Sequence, residues 1–243
     1  KAKGAKRVAK LIADAIPENV PELAKYLKGD ETFTDIQGHW AEDVIKTLAE
    51  NDKVSGVGDG KFNPDGTVTR AEFLKMAMDS LGIVGHAYRD GECLDATNDD
   101  WYCYYLQGAL DKDIIPEEMI EDCDFTNVTK TLKESTEKEK AVRANVNVYT
   151  GKFYGDKPIT REEMAVIATR CKNYKMRNWR DWDNERRIPV FSFKDSDEID
   201  EKYISYVVHA YNLKYIDGME DGRFAPKENL TRAQAAVVMN NLK

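Results

Sequence analysis

Thr69-Arg70-Ala71-Glu72, Thr160-Arg161-Glu162-Glu163 and Thr231-Arg232-Ala233-Gln234 are three versions of one corner, and they decide the fold. Gly60-Lys61-Phe62, Gly151-Lys152-Phe153 and Gly222-Arg223-Phe224 come before them, and in each case the Phe stands eight residues ahead of the Arg. An apolar helical run follows each corner: Phe73 to Leu81, Met164 to Cys171, Ala235 to Leu242. Chance does not give this three times in one chain. The sequence is an internal repeat, and each copy is one supersecondary unit.

The beginnings of the copies match less tightly. Phe33-Thr34-Asp35 leads to Trp40-Ala41 and the pattern Val44, Ile45, Leu48; Tyr88-Arg89-Asp90 leads to Trp101 and Tyr105, Leu106, Ala109; Phe193-Lys194-Asp195 leads to Tyr203 and Tyr206, Val207, Ala210. Apolar residues at i, i+1 and i+4 mark a helix with one buried stripe. Each unit therefore reads as helix, Gly-rich loop, helix. A lone two-helix unit cannot bury its stripe, so the three must pack on one another. The expected fold is all-α, one domain with approximate three-fold symmetry, its first helices forming a central three-helix bundle, with short extra helices.

Outward from the corners, the copies occupy 33–86, 87–175 and 191–243. The second carries about thirty extra residues, by direct alignment of the repeats, at about 116–150. Residues 176–190 form a linker with Trp179 and Trp182. Residues 1–32 read as an N-terminal helical connector, with Val8, Leu11, Ile12, Ala15 and Ile16 at helical spacing before Pro17. With no initiator Met and no signal-peptide pattern, the sequence reads as a mature or excised fragment, the connector as the end of a link to a larger protein.

Composition narrows the function classes. The 243 residues are 42% hydrophobic and 33% charged, which is globular rather than disordered. A net charge of -8 argues against a nucleic-acid partner, since the only basic patch is the short run Lys1 to Lys10. No apolar run approaches the roughly 20 residues of a membrane span. Cys93, Cys103, Cys123 and Cys171 lack C-x-x-C spacing and fit disulfides and buried thiols equally well. No metal site is expected: setting Gly66 at position six of a calcium loop would put Lys61 where a carboxylate is needed. No cofactor and no catalytic residue are expected either, because His39, His86 and His209 are isolated and no nucleophile elbow or phosphate loop occurs.

The corner itself is a capping box. Thr accepts from the backbone N–H three residues on, and Glu or Gln reaches back to the Thr N–H. That accounts for Thr and Glu but not for Arg, which sits at the positive end of the helix dipole, where a cation is mildly unfavourable. An internal salt bridge is one explanation. The other is an anion site built from free helix-start N–H groups, a guanidinium fork and the loop glycines Gly56, Gly58, Gly60, Gly218 and Gly222. Trp40 and Trp101 are candidates for stacking on a sugar face or for the core.

Phe33-Thr34-Asp35-Ile36, Gly38-His39-Trp40-Ala41, Gly58-Asp59-Gly60-Lys61-Phe62-Asn63-Pro64 and Thr69-Arg70-Ala71-Glu72-Phe73 closely resemble the S-layer homology repeat, and the resemblance runs from Phe33 to Leu242. It implies a triplet forming a monomeric pseudo-trimer. It also implies an extracellular, wall- or S-layer-associated location in a Gram-positive bacterium, and non-covalent anchoring through secondary cell-wall polysaccharide. The ligand it implies is a pyruvylated sugar held in grooves between repeats, its carboxylate read by Arg70, Arg161 and Arg232, with Asp35, Trp40, Trp101, Gly58, Gly60, Gly218 and Gly222 as further ligand-binding candidates. Lys202 in place of Trp40, Gln234 in place of Glu72, and the insert are departures. They predict that the Arg70 groove is the most competent and the Arg161 groove the least. The competing reading is a protein-interaction or assembly module of a surface layer, using the insert and the Trp-rich linker.

Overall fold

A computed structural model describes residues 33–51, 53–89, 93, 95–122, 151–176 and 193–242. The connector over 1–32 and nearly all of the insert and linker lie outside the described residues. The fold is all-α: among the described residues there are six α-helices and no strand. Unit one contributes α1 (Glu42–Glu50) and α2 (Arg70–Leu81), unit two α3 (Cys103–Asp111) and α4 (Arg161–Met176), and unit three α5 (Ile204–Asn212) and α6 (Arg232–Asn241). Short 3-10 turns stand at Glu117–Met119, Ser196–Glu198 and Glu201–Tyr203.

The first helices bury one stripe each: Ile45 and Leu48 in α1, Leu106 and Ala109 in α3, Tyr206, Val207 and Ala210 in α5. They do not form the centre. Each packs on the second helix of the preceding unit, α3 on α2, α5 on α4 and α1 on α6, while α2 packs on both α4 and α6. The expected bundle of first helices is therefore corrected, for a reason visible in the burial. The second helices are buried on most of their circumference, as Ala71, Phe73, Leu74, Ala77 and Met78 show in α2, whereas a helix with one apolar stripe belongs at the edge.

Backbone hydrogen bonds close the units into a cycle. Val68 N–H donates to the Leu230 carbonyl (3.0 Å), Leu230 N–H to Ile159 (2.9 Å), and Ile159 N–H back to Val68 (2.9 Å). All three residues are buried, and each directly precedes a corner Thr. Beside this cycle, a carboxylate in each unit accepts two successive backbone N–H groups: Asp35 from Phe62 and Asn63, Asp95 from Phe153 and Tyr154, Asp195 from Phe224 and Ala225. The second residue of each pair has positive φ (Asn63 56°, Tyr154 52°, Ala225 57°), a conformation costly for a non-glycine residue. In unit two the carboxylate is Asp95 rather than Asp90, which lies outside the described residues. By that register Cys93 stands where Phe33 and Phe193 stand in the other units.

Among the cysteines, Cys171 is a thiol buried in α4, its pKa pushed up by burial, and Cys103 is a half-buried thiol; Cys123 lies outside the described residues. Replacing Asp195, the buried member of the carboxylate set, strands two N–H groups at about 1–3 kcal/mol each. Asp195→Ala is accordingly expected to cost about 2–4 kcal/mol in denaturant unfolding, and Asp35→Ala, at a half-buried position, to cost less.

Candidate functional site

Each corner is a reciprocal capping box, with Thr69 and Glu72, Thr160 and Glu163, and Thr231 and Gln234 exchanging backbone-to-side-chain bonds. The remaining helix-start amides are not free. Arg70 N–H donates to Lys157 and Ala71 N–H to Gly155; Arg161 N–H to Glu228 and Glu162 N–H to Pro226; Arg232 N–H to Gly66 and Ala233 N–H to Pro64. Every one of these carbonyls belongs to the next unit around the cycle. The expectation that bare amides would receive an anion is corrected, since tertiary packing uses up the donors that the helix itself leaves open.

What remains is the guanidinium. Arg161 Nε donates to the Phe224 carbonyl (2.7 Å) and Nη2 to the Asp217 carbonyl (2.9 Å), with the cation 5.0 Å from the centre of the Phe224 ring. Arg232 repeats the arrangement on Phe62 (2.8 Å) and Ser55 (2.9 Å), 4.7 Å from the Phe62 ring. The residues are only 5% and 9% exposed. Among the described residues no carboxylate lies within ion-pair distance of either. Burial pushes both pKa values down from the ordinary one, and the charges around them only partly offset this. Arginine stays protonated regardless, so each is a buried cation held by carbonyl dipoles and a ring face.

Arg70 differs. It is 1% exposed; Nη1 donates to the Phe153 carbonyl (2.8 Å), Nη2 to Glu121 (2.9 Å) and Glu163, and Nε to Glu163 (3.3 Å). Burial works to lower its pKa, but the Glu163 and Glu121 carboxylates hold it above the ordinary value. The cause is local. Pro116 occupies the register of Ser55 and Asp217, and its carbonyl accepts from Met119 in the turn Glu117–Met119 that opens the insert. The fork therefore lacks its second carbonyl, and the same turn delivers Glu121, whose backbone bridges to Lys152.

Two grooves open beside the unpaired arginines. One, about 640 Å³, has Arg161 in its wall, the unit-three loop Tyr215 to Asp221 on one side, Trp40 of unit one on the rim, and the α6 face Gln234, Val237, Val238, Asn241. The other, about 420 Å³, joins Arg232, the unit-one loop Lys53 to Val57, Trp101 of unit two, and the α2 face Glu72, Lys75, Met76, Asp79. Each groove draws on all three units. Trp40 and Trp101 are 67% and 54% exposed, which settles them as rim residues rather than core. In the third position the α4 residues Glu163, Val166 and Ile167 are buried, under α5 and the turn Glu201–Tyr203, and Lys202 and Tyr203 both donate to the Glu118 carbonyl.

Three stretches of the chain, 32–74, 146–165 and 192–236, match the family model of the S-layer homology domain. These are S-layer homology repeats. Such repeats belong to extracellular surface proteins held at the cell wall or surface layer, and wall anchoring is the role of this chain. The chain is 33% identical over 213 residues to an amylopullulanase of Thermoanaerobacterium thermosulfurigenes, and 34% identical over 220 residues to an exoglucanase XynX of Acetivibrio thermocellus. It is 29% identical over 213 residues to an endoglucanase of Bacillus sp. (strain KSM-635). These alignments cover 88%, 89% and 86% of the chain but span only 10%, 16% and 18% of the relatives' lengths. Among the described residues no helix is long and apolar enough to cross a membrane.

Of the S-layer homology positions expected to bind ligand, Arg161, Arg232, Trp40, Trp101 and Gly218 meet at the two grooves. Arg70, expected to read a ligand, is instead engaged by the Glu163 and Glu121 carboxylates. Asp35 holds a left-handed turn rather than facing a groove. Gly60 and Gly222 give their carbonyls to Thr34 and Lys194 N–H, and Gly58 closes a tight turn with Lys61. Gly218 also packs against Phe193, where a Cβ would come within 2.6 Å of the ring. The helix faces at i, i+3, i+4 and i+7 from the corner's last residue were missed; their helical spacing was a legible signal.

Removing Arg70 leaves the buried Glu163 with only the Thr160 N–H and a long contact to Lys157 (3.8 Å), so Arg70→Ala is expected to lower unfolding stability by about 3 kcal/mol, the low end for breaking a buried pair. Burial works to raise the Glu163 pKa, but Arg70 holds it below the usual carboxylate value. The stability this contributes is present above about pH 4.3, the unfolded value, and is lost as pH falls through the lower folded one. Urea titrations across that range should show this acid loss in the wild type and a smaller one in Arg70→Ala, where the Thr160 N–H and Lys157 still favour the ionised carboxyl.

Proposed function

We propose that the chain anchors a larger surface protein non-covalently to the wall by binding an anionic, pyruvylated secondary polysaccharide in the Arg161 and Arg232 grooves, and that the chain itself is not an enzyme. The observation that carries this reading is the buried Arg161 cation. Among the described residues it has no carboxylate partner, it opens onto a groove, and that groove is also lined by the exposed Trp40. A buried charge without a counterion favours one supplied from outside, and a guanidinium fork matches a carboxylate. An indole on the rim gives the sugar ring an apolar face to stack on. The relatives' names, polysaccharide-degrading enzymes of which this chain covers a small part, support a carried catalytic partner outside the chain. The cyclic hydrogen bonds support an approximate three-fold relation of the units within one monomeric chain.

Co-sedimentation with purified wall sacculi, before and after chemical stripping of the secondary polymer, tests the reading. Binding is expected to disappear on stripping. Trp40→Ala, at an exposed position that the fold does not need, should weaken binding about tenfold, the scale of one lost stacking contact. Undiminished binding by an Arg161→Ala, Arg232→Ala double variant would reject the arginine-groove reading.

A further inference from the structure

The three arginines share a position and differ in what faces them. The fourth residue of the next unit's corner stands beside each: Glu163 beside Arg70, Glu72 beside Arg232, Gln234 beside Arg161. In the first case the carboxylate closes on the guanidinium. In the second, Glu72 lines the groove and its charge acts on Arg232 without an ion pair forming. In the third the same cap is made by a neutral amide, whose Oε1 accepts the Thr231 N–H at 3.1 Å. The acidic residues of the Arg161 groove, Asp217, Glu220 and Asp221, are exposed at its rim, and Asp221 is paired with Arg223. Solvent screens their field far more than that of a half-buried carboxylate beside the cation.

We propose that this fourth corner residue sets the affinity of each groove for an acidic sugar: Gln234 makes the Arg161 groove the tight site, Glu72 makes the Arg232 groove the weak one, and Glu163 withdraws Arg70 from binding. The inference rests on the anionic-glycan reading above and adds to it a residue that grades the sites. A carboxylate ligand entering beside Glu72 meets a like charge at short range, and like-charge juxtaposition is strongly disfavoured where water is displaced. Beside Gln234 it meets a dipole, and the carboxylates whose charge reaches Arg161 are each engaged elsewhere, Asp195 by the Phe224 and Ala225 N–H groups and Glu228 by Arg223.

The experiment is calorimetric titration of the whole chain with a methyl glycoside bearing a cyclic pyruvate ketal, and with the same glycoside lacking the ketal. Gln234→Glu reproduces a cap that unit one already makes with Glu72, so the fold is retained. It is expected to weaken the tight site about tenfold or more, and Glu72→Gln to strengthen the weak site by a similar factor, as expected for adding or removing one near charge. If both exchanges leave both affinities unchanged while Trp40→Ala still weakens binding, the grading by this residue is overturned and the glycan site stands. If the wild type takes up neither glycoside, the acidic-sugar reading falls and this inference with it.

Discussion

Each unit of this chain ends its loop on a phenylalanine whose carbonyl accepts from the arginine of the preceding unit, and in two of the three units the guanidinium also lies over the ring. Around that contact the rest is arranged. The amides on either side of the arginine's peptide reach carbonyls of the same neighbouring loop, and a carboxylate holds the loop in its left-handed turn so that those carbonyls are presented. A cation at a helix start is unfavourable in isolation, but here it joins two units whose apolar stripes have nowhere else to go.

The corner, its capping box and the stripes of the first helices were all legible, because they depend on local spacing. Ile45, Leu48, Leu106, Ala109, Val207 and Ala210 are buried as their periodicity requires. The central position of α2, α4 and α6 was harder to read. Charged residues such as Glu162, Glu163 and Arg232 punctuate those helices, and in the fold they are buried against partners far away in sequence. Arg70 is the sharpest case. Its corner matches the repeat better than the others do, yet its surroundings are set by a carbonyl diverted at Pro116 and a carboxylate delivered by the start of the insert, both more than forty residues distant. The exposure of Trp40 and Trp101 was equally beyond periodicity, since an aromatic beside a helix start fits a core and a rim alike.

The grooves follow from the same cycle. Because each arginine reaches forward into the next unit, each opening is bounded by a loop, an arginine and a tryptophan from different units, and no single repeat contains a whole groove. Divergence among the copies then acts on sites rather than on the fold. The capping function is met equally by Glu72, Glu163 and Gln234, although Glu163 also pairs with Arg70, Glu72 lines a groove, and Gln234 carries no charge.

The contacts of Arg232 with Phe62 and Ser55 span 170 and 177 positions of the chain, and they join the first unit to the last. Without the final helix, the Ser55, Phe62, Pro64 and Gly66 carbonyls of the first unit lack the donors that close on them, and the cycle stays open. Contacts of such high sequence separation pay their loop-closure entropy before they are rewarded, so it is the ring of units, and not any one helix pair, whose closure is intrinsically slow.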